Sequence, residues 1–138
     1  IVPAAGRPTF SLGEDEMELG MGIHGEQGLQ RIKMKPANEI AEIITNKIVD
    51  DLPYVKGDEV AVLVNGLGAT PGEELFILYS KVYDILNTMG IGVYRTYVGE
   101  YATSMEMAGC SVSLIRLDDE LKRLLEAKAH SPFLPQWE

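Results

Sequence analysis

The sequence predicts an α/β protein of the α+β type: a two-layer sandwich with a mixed β-sheet and helices mainly on one face. Hydrophobic periodicity orders the segments as strand, helix, strand, helix, strand, strand, helix. Helical crossovers favour parallel neighbours, whereas the last two strands lie close enough in sequence to pair antiparallel. Because 138 residues suit one domain with a hydrophobic core, we treat residues 1–138 as a single domain.

Composition and charge exclude several classes of protein. Twelve basic and 21 acidic residues give a net charge of −9, which argues against binding to nucleic acid or to an anionic membrane surface. No apolar run approaches the ~18 to 20 residues of a membrane-spanning helix. A single cysteine rules out an internal disulfide and fits a reducing compartment. We interpret the missing initiator methionine as the mark of a fragment or a processed chain.

The first predicted element is a strand that runs into a glycine-rich loop around His24. Its buried face would carry Met17, Leu19, Met21 and Ile23, and the loop glycines are Gly20, Gly22, Gly25 and Gly28. Glycine is unfavourable inside a strand, so this density predicts close approach of backbone or ligand. The alternative is a hairpin whose glycines only serve turns. Residue types alone leave both interpretations open.

A basic segment and a helix follow. Arg31, Lys33 and Lys35 can contact an anionic group, but we favour a solvated connector, since an isolated charge cluster usually faces water. Residues 36–52 then repeat apolar side chains at helical spacing. Pro36 suits the first turn of that helix and Pro53 ends it.

The middle of the chain predicts a buried strand, a tight turn and a second helix. Residues 59–65 form the strand, and residues 60–64 are apolar on both faces, as expected of a central strand. The helix runs to about residue 89, with Thr70 as N-cap and Glu73 completing a capping box. A glycine loop before a helix suggests a phosphate cradle, but a Walker lysine is missing and two glutamates in the first turn would repel phosphate. We therefore favour a crossover turn that can line a ligand pocket.

The C-terminal third predicts two strands, at residues 92–99 and 111–117, and a last helix from Asp118 to about Lys128. A polar loop separates the strands, which we expect to pair with each other. Acidic residues begin the helix and basic residues end it, as the helix dipole favours.

Few side chains are suited to catalysis. Two histidines and one cysteine are too few for a structural zinc site, and no serine lies in a nucleophile elbow. We interpret Cys110 as a small buried side chain and His130 as a surface or packing residue. That leaves His24, because a neutral imidazole can add to the carbonyl carbon of a ketone and form a hemiaminal. Glu26 would orient the ring or a water molecule, or be a solvated turn residue; a metal site at this pair has weak support.

Four motifs in order give a family resemblance. They are VPAAGRP (residues 2–8), MELGMGIHGE (17–26), VNGLGATP (64–71) and GEYATSMEMAG (99–109). Together they resemble the substrate-binding subunit of the dihydroxyacetone kinases. The resemblance covers essentially the whole chain, as the C-terminal domain of a longer subunit whose N-terminal domain is absent here.

The resemblance implies a function for the glycine-rich loop. His24 would bind dihydroxyacetone covalently as a hemiaminal, with Gly22, Gly25 and Glu26 around the ketose. This chain would hold no cofactor or metal of its own. ADP, or ATP with Mg²⁺, would be carried by a partner kinase subunit or domain, and the phosphoryl donor would be ATP or a phosphotransferase-system protein. The resemblance also implies a cytoplasmic homodimer.

Two departures from the family pattern keep alternatives open. Gln27 stands where the family usually has proline, and Cys110 where an aromatic residue is common. The family's other acid–base groups would lie in the absent N-terminal domain. A non-catalytic, ketose-binding regulatory paralogue is therefore the alternative function. A free-standing α/β domain of unrelated function is the third hypothesis.

Overall fold

The computed structural model describes residues 6–8, 10–22, 26–104, 106–132 and 134–136. It has the α+β architecture that the sequence predicts. In chain order its elements are β1 (Glu16–Leu19), β2 (Gln30–Lys33), α1 (Ala37–Asp51), β3 (Glu59–Gly66), α2 (Gly72–Thr88), β4 (Gly92–Gly99), β5 (Cys110–Arg116), α3 (Asp119–Leu125), β6 (Ala129–His130) and β7 (Pro135–Gln136). None of the described helices is both long and apolar enough to cross a membrane.

The main sheet has three strands in the order β4-β3-β5, with β3 parallel to β4 and antiparallel to β5. The sequence correctly predicts β3 as the central strand, but the predicted pairing of β4 with β5 is wrong. The most apolar strand gains most from a neighbour on each side, so β3 lies between them. The connection from residue 100 to 109 is long enough to pass the end of β3, whereas a tight hairpin needs only two to five residues.

The core lies between the sheet and the two long helices. Alternate residues of β3 (Val60, Val62 and Val64) point to the helices and are fully buried. They meet an apolar stripe of α2 made by Leu75, Leu78, Val82 and Leu86. α1 contributes Ala41 and Thr45 at the helix contact, both completely buried. Small side chains there allow α1 to approach closely.

Thr45 is a weak point of this core. Its hydroxyl is buried and has no hydrogen-bond partner in the described part of the chain. We expect Thr45→Val to raise the free energy of unfolding by about 1 kcal/mol, because a methyl group of similar size replaces an unpaired polar group. Urea denaturation measures the change. Thr88→Val is the control, since the exposed Thr88 hydroxyl donates to the Asp84 carbonyl at 2.8 Å and its removal brings no gain. A Thr45→Val protein no more stable than the parent would contradict this.

Helix ends differ from prediction where tertiary contacts compete with local capping. Pro71, rather than Thr70, is the N-cap of α2, and it makes no side-chain cap bond. The Thr70 hydroxyl instead donates to the Gly109 carbonyl at 2.9 Å, so the predicted capping box is wrong. The Asp118 cap of α3 is confirmed, because its carboxylate accepts the Leu121 N–H at 2.8 Å. That helix ends at Leu125, before the predicted Lys128.

The opening strand is shorter than its apolar alternation predicts. β1 ends at Leu19, because Gly20 has a φ of +75° and turns the chain out of the strand. Met21 lies beyond the strand, and Ile23 is outside the described residues. The basic segment, predicted as a connector, is partly the strand β2, which pairs antiparallel with β1.

Candidate functional site

The glycine-rich loop is carried by the β1–β2 hairpin, which has a charged face. Glu16 lies opposite Lys33 and Glu18 opposite Arg31, so acidic side chains of one strand face basic side chains of the other. The Arg31 guanidinium contacts the Glu18 carboxylate at 3.2 Å, and Lys35 contacts Glu39 at 2.7 Å. The basic cluster faces solvent, as predicted, and two of its three side chains also pair with carboxylates of this chain.

Two contacts close the neck of the loop. The Leu29 N–H donates to the Leu19 carbonyl at 2.7 Å, and the Gly28 N–H donates to Oε1 of Glu18 at 3.0 Å. A Cβ on Gly28 would lie 2.5 Å from Cγ of Glu18 and 2.9 Å from the Leu19 carbonyl oxygen. Residue 28 must therefore be glycine for the carboxylate to reach its amide.

A third contact joins the two sides of the segment that contains His24. The Gly22 N–H donates to the Glu26 carbonyl at 3.1 Å. The Glu26 side chain folds back on Gly22, where a Cβ would lie only 2.6 Å from Cδ of Glu26. Gly22 is thus a close-approach glycine, and Glu26 is exposed at the surface. The structure brings these two predicted site residues together.

His24 and Gly25 lie outside the described residues, so their roles stay predictions. The described chain ends at Gly22 before them and resumes at Glu26 after them. The 3.1 Å bond between those residues holds both ends of the intervening segment.

The second glycine motif (residues 64–71) forms a turn in which two backbone N–H groups are already hydrogen-bonded within the chain. The Leu67 N–H donates to the Gly109 carbonyl at 3.1 Å, and the Ala69 N–H donates to the Met107 carbonyl at 3.2 Å. These N–H groups are therefore not available to a phosphate, and two glutamates occupy the first turn of α2. The geometry supports the crossover turn and argues against the phosphate cradle.

Asn65 fastens that turn to the loop after β4. Its side-chain oxygen accepts the N–H groups of Tyr101 and Ala102 at 2.8 and 2.9 Å, and its amide nitrogen donates to the Ala102 carbonyl at 2.7 Å. Asn65 is 3% exposed, so these bonds satisfy a buried amide. Sequence reasoning did not single out this residue, although a polar side chain closing an apolar strand was a usable signal.

The remaining candidates have structural roles. The Cys110 side chain is largely covered, and burial raises the pKa of its thiol, with a further contribution from the Glu74 carboxylate. A raised pKa leaves the thiol protonated and unreactive near neutral pH, as predicted for a packing residue. His130 is exposed in β6, in agreement with the predicted surface position. No group of three or more metal-binding side chains is present among the residues that the structure describes.

The fold and motifs correspond to a known family. Residues 1–133 match the model of the Dak1 domain. The chain belongs to the Dak1 domain family. The match includes both glycine motifs and the polar loop after β4, so the resemblance seen in the sequence is confirmed over nearly the whole chain.

Curated relatives of this Dak1 domain are larger proteins. A dihydroxyacetone-binding subunit (DhaK) of a PTS-dependent dihydroxyacetone kinase from Listeria innocua is 42% identical over 132 residues, covering 96% of this chain and 40% of the relative. The corresponding subunit of a PEP-dependent kinase from Escherichia coli is 34% identical over 157 residues, covering 96% of this chain and 44% of the relative. An L-erythrulose kinase from Pectobacterium atrosepticum is 38% identical over 135 residues, covering 95% of this chain and 23% of the relative.

Solved structures agree on the fold. A protein described as the dihydroxyacetone kinase operon co-activator Dha-DhaQ superimposes with a TM-score of 0.79 at 32% identity, over 85% of this chain and 37% of that one. The dihydroxyacetone kinase of C. freundii has a TM-score of 0.74 at 24% identity, over 94% of this chain and 24% of that one. The Dak1 domain described here therefore spans less than half of the proteins it matches.

Proposed function

We propose that this Dak1 domain is the C-terminal, ketose-holding part of a dihydroxyacetone kinase substrate-binding subunit. The observation that carries the proposal is the Dak1 match over residues 1–133, which includes the motif around His24. Two of the kinase relatives are named for short ketoses, dihydroxyacetone and L-erythrulose. The contacts that close the loop neck add a physical reason for placing the ligand there.

The proposed chemistry is the reversible addition of His24 to the ketose carbonyl. The imidazole nitrogen that bears the lone pair attacks the carbonyl carbon and forms a C–N bond. The C=O double bond becomes a single bond, its oxygen takes up a proton, and the other ring nitrogen gives up its proton. No atom leaves, so the hemiaminal contains the whole ketose. A polyol of the same size has no electrophilic carbon and forms no such bond.

Phosphoryl transfer requires groups beyond this domain. The sequence holds one other histidine, His130, which lies in β6. The bonded N–H groups of Leu67 and Ala69 and the two glutamates in the first turn of α2 argue against a nucleotide cradle in the described part of the chain. We therefore assign the acid–base groups to an N-terminal domain, and ADP, or ATP with Mg²⁺, to a partner kinase subunit or domain. We further propose that the assembled protein is a cytoplasmic homodimer. The phosphoryl donor is ATP or a phosphotransferase-system protein.

A regulatory role is the second candidate. The observation that favours it is the similarity to the co-activator Dha-DhaQ, at 32% identity and a TM-score of 0.79. A regulator of this kind would bind the ketose without turning it over. Reconstitution with a nucleotide-carrying kinase subunit separates the two, because a catalytic subunit yields the phosphorylated ketose and a regulator does not.

Native mass spectrometry of the intact protein tests ketose binding itself. The protein is incubated with dihydroxyacetone, L-erythrulose or glycerol. We expect a mass increase of one whole ketose per domain with the first two and none with glycerol. Equal retention of glycerol and dihydroxyacetone would indicate recognition by shape alone and would remove the hemiaminal from the proposal.

A further inference from the structure

One carboxylate of the hairpin has a role that charge pairing alone does not explain. Glu18 is the penultimate residue of β1 and makes one of the two neck contacts, and its side chain is only 12% exposed. Its Oε2 contacts the Arg31 guanidinium at 3.2 Å, while its Oε1 accepts the Gly28 N–H at 3.0 Å. Each oxygen of the carboxylate thus has its own partner.

The Glu18 side chain supplies the hydrogen-bond acceptor for the Gly28 N–H. The last paired residues of the two strands are Leu19 and Gln30, so Gly28 lies beyond the ladder that would otherwise supply a carbonyl acceptor. An ionised carboxylate is a stronger hydrogen-bond acceptor than a neutral carbonyl, so the bond from the Gly28 N–H to Glu18 is a strong one. Glu18 therefore fixes the returning side of the loop that carries His24.

We propose that Glu18 is the positioning residue of the ketose-binding loop, acting through the Gly28 N–H while Arg31 orients the carboxylate. This inference rests on the proposed function of His24 for its effect on ketose affinity. Its structural part, the anchoring of the loop neck, stands on the contacts of Glu18 alone. The contacts that the structure gives Glu18 are with Gly28 and Arg31, and the proposal assigns it no chemical step.

The chain supplies a matched control in Glu16. This residue is on the same face of the same strand and is more exposed, with 43% of its side chain accessible. Its carboxylate accepts the Gly13 N–H at 2.8 Å and lies 3.9 Å from Arg31, and neither of these partners belongs to the loop. A general effect of removing negative charge from β1 would appear equally at both positions.

Amide hydrogen exchange measured by mass spectrometry tests the anchoring without any ligand. We expect Glu18→Ala to speed amide exchange about tenfold in peptides covering residues 20–29. Loss of a charge-assisted hydrogen bond raises the equilibrium constant for local opening by about this factor. Peptides of α1 and α2 serve as an internal reference and should not change. Glu16→Ala should leave the loop peptides as in the parent. Unchanged loop exchange in Glu18→Ala would overturn the proposal.

Ketose affinity then tests the consequence for binding. We expect Glu18→Ala to weaken dihydroxyacetone binding about tenfold, and Glu18→Gln to recover most of the loss, because its amide oxygen still accepts the Gly28 N–H. Loss of binding in Glu18→Gln equal to that in Glu18→Ala would contradict the role of the Gly28 bond. Parent protein that binds no ketose would refute the proposed function, whereas the exchange result would still decide the anchoring role.

A double-mutant cycle connects the two partners. Gly28→Ala should displace the carboxylate, since its Cβ would lie 2.5 Å from Cγ of Glu18. Once Gly28→Ala has broken the contact, adding Glu18→Ala should cost little more ketose affinity. Independent losses that simply multiply in the double variant would show that the two residues do not act through each other.

Discussion

Replacing His24 with alanine is expected to abolish the covalent ketose adduct and to weaken dihydroxyacetone binding by at least 100-fold. The imidazole is the only group of the loop that can form the proposed C–N bond, and alanine has no nucleophile. Native mass spectrometry and calorimetric titration with dihydroxyacetone give the two readouts. Circular dichroism of the variant checks that the loss of the adduct does not come from unfolding.

His130→Ala is the matched control for that experiment. It removes the other histidine of the chain, which is exposed in β6 and far from the loop in sequence. The His130→Ala protein should keep the adduct and bind the ketose within about twofold of the parent. If the adduct persisted in His24→Ala and disappeared in His130→Ala, our assignment of the covalent bond to His24 would be wrong.

Replacing Asn65 with alanine is expected to lower the free energy of unfolding by about 3 kcal/mol. Three hydrogen bonds of a buried amide disappear, and two N–H groups and a carbonyl of the loop after β4 lose their partners. Few substitutions outside the hydrophobic core should cost as much. Urea denaturation, followed by circular dichroism, measures the loss.

Asn46→Ala provides the comparison for Asn65. Asn46 is exposed in the middle of α1, where alanine has the higher helix propensity. We expect that variant to be as stable as the parent or slightly more so. If Asn65→Ala were equally harmless, the loop after β4 would have to be held by other contacts, and Asn65 would not be its anchor.

Elements that bury apolar side chains at a regular spacing were predictable from sequence. The continuous apolar run of β3 and the apolar stripe of α2 record burial directly, because side chains repeat with the period of the element. The Asp118 cap was also predictable, since its hydrogen bond spans only three residues. Local physics alone decides such features.

The errors came from contacts between distant parts of the chain. The position of β3 between β4 and β5 depends on pairing partners that no local pattern identifies. Thr70 has the residue type of a cap, but Gly109 offers its hydroxyl a competing acceptor 39 residues away. Tertiary contacts override local preference in both cases.

In the candidate site, too, local features were predictable from sequence and contacts between distant residues were not. Its glycines and His24 were recognisable because glycine density is a local signal. Glu18 was not, since nothing in its immediate sequence indicates that its carboxylate reaches the amide of Gly28, ten residues further on. Its partner Arg31 is exposed as predicted, but its contact with Glu18 was not predictable for the same reason.

The separation of the β1–β2 hairpin from the three-stranded sheet has a consequence for how this domain can vary. The two sheets share no strand pairing among the described residues. Substitutions in the loop between β1 and β2 therefore break no ladder bond of the main sheet, and their free-energy effects should add to those of core substitutions. The sequence of the loop and the thermal stability of the core can therefore change independently in such a chain.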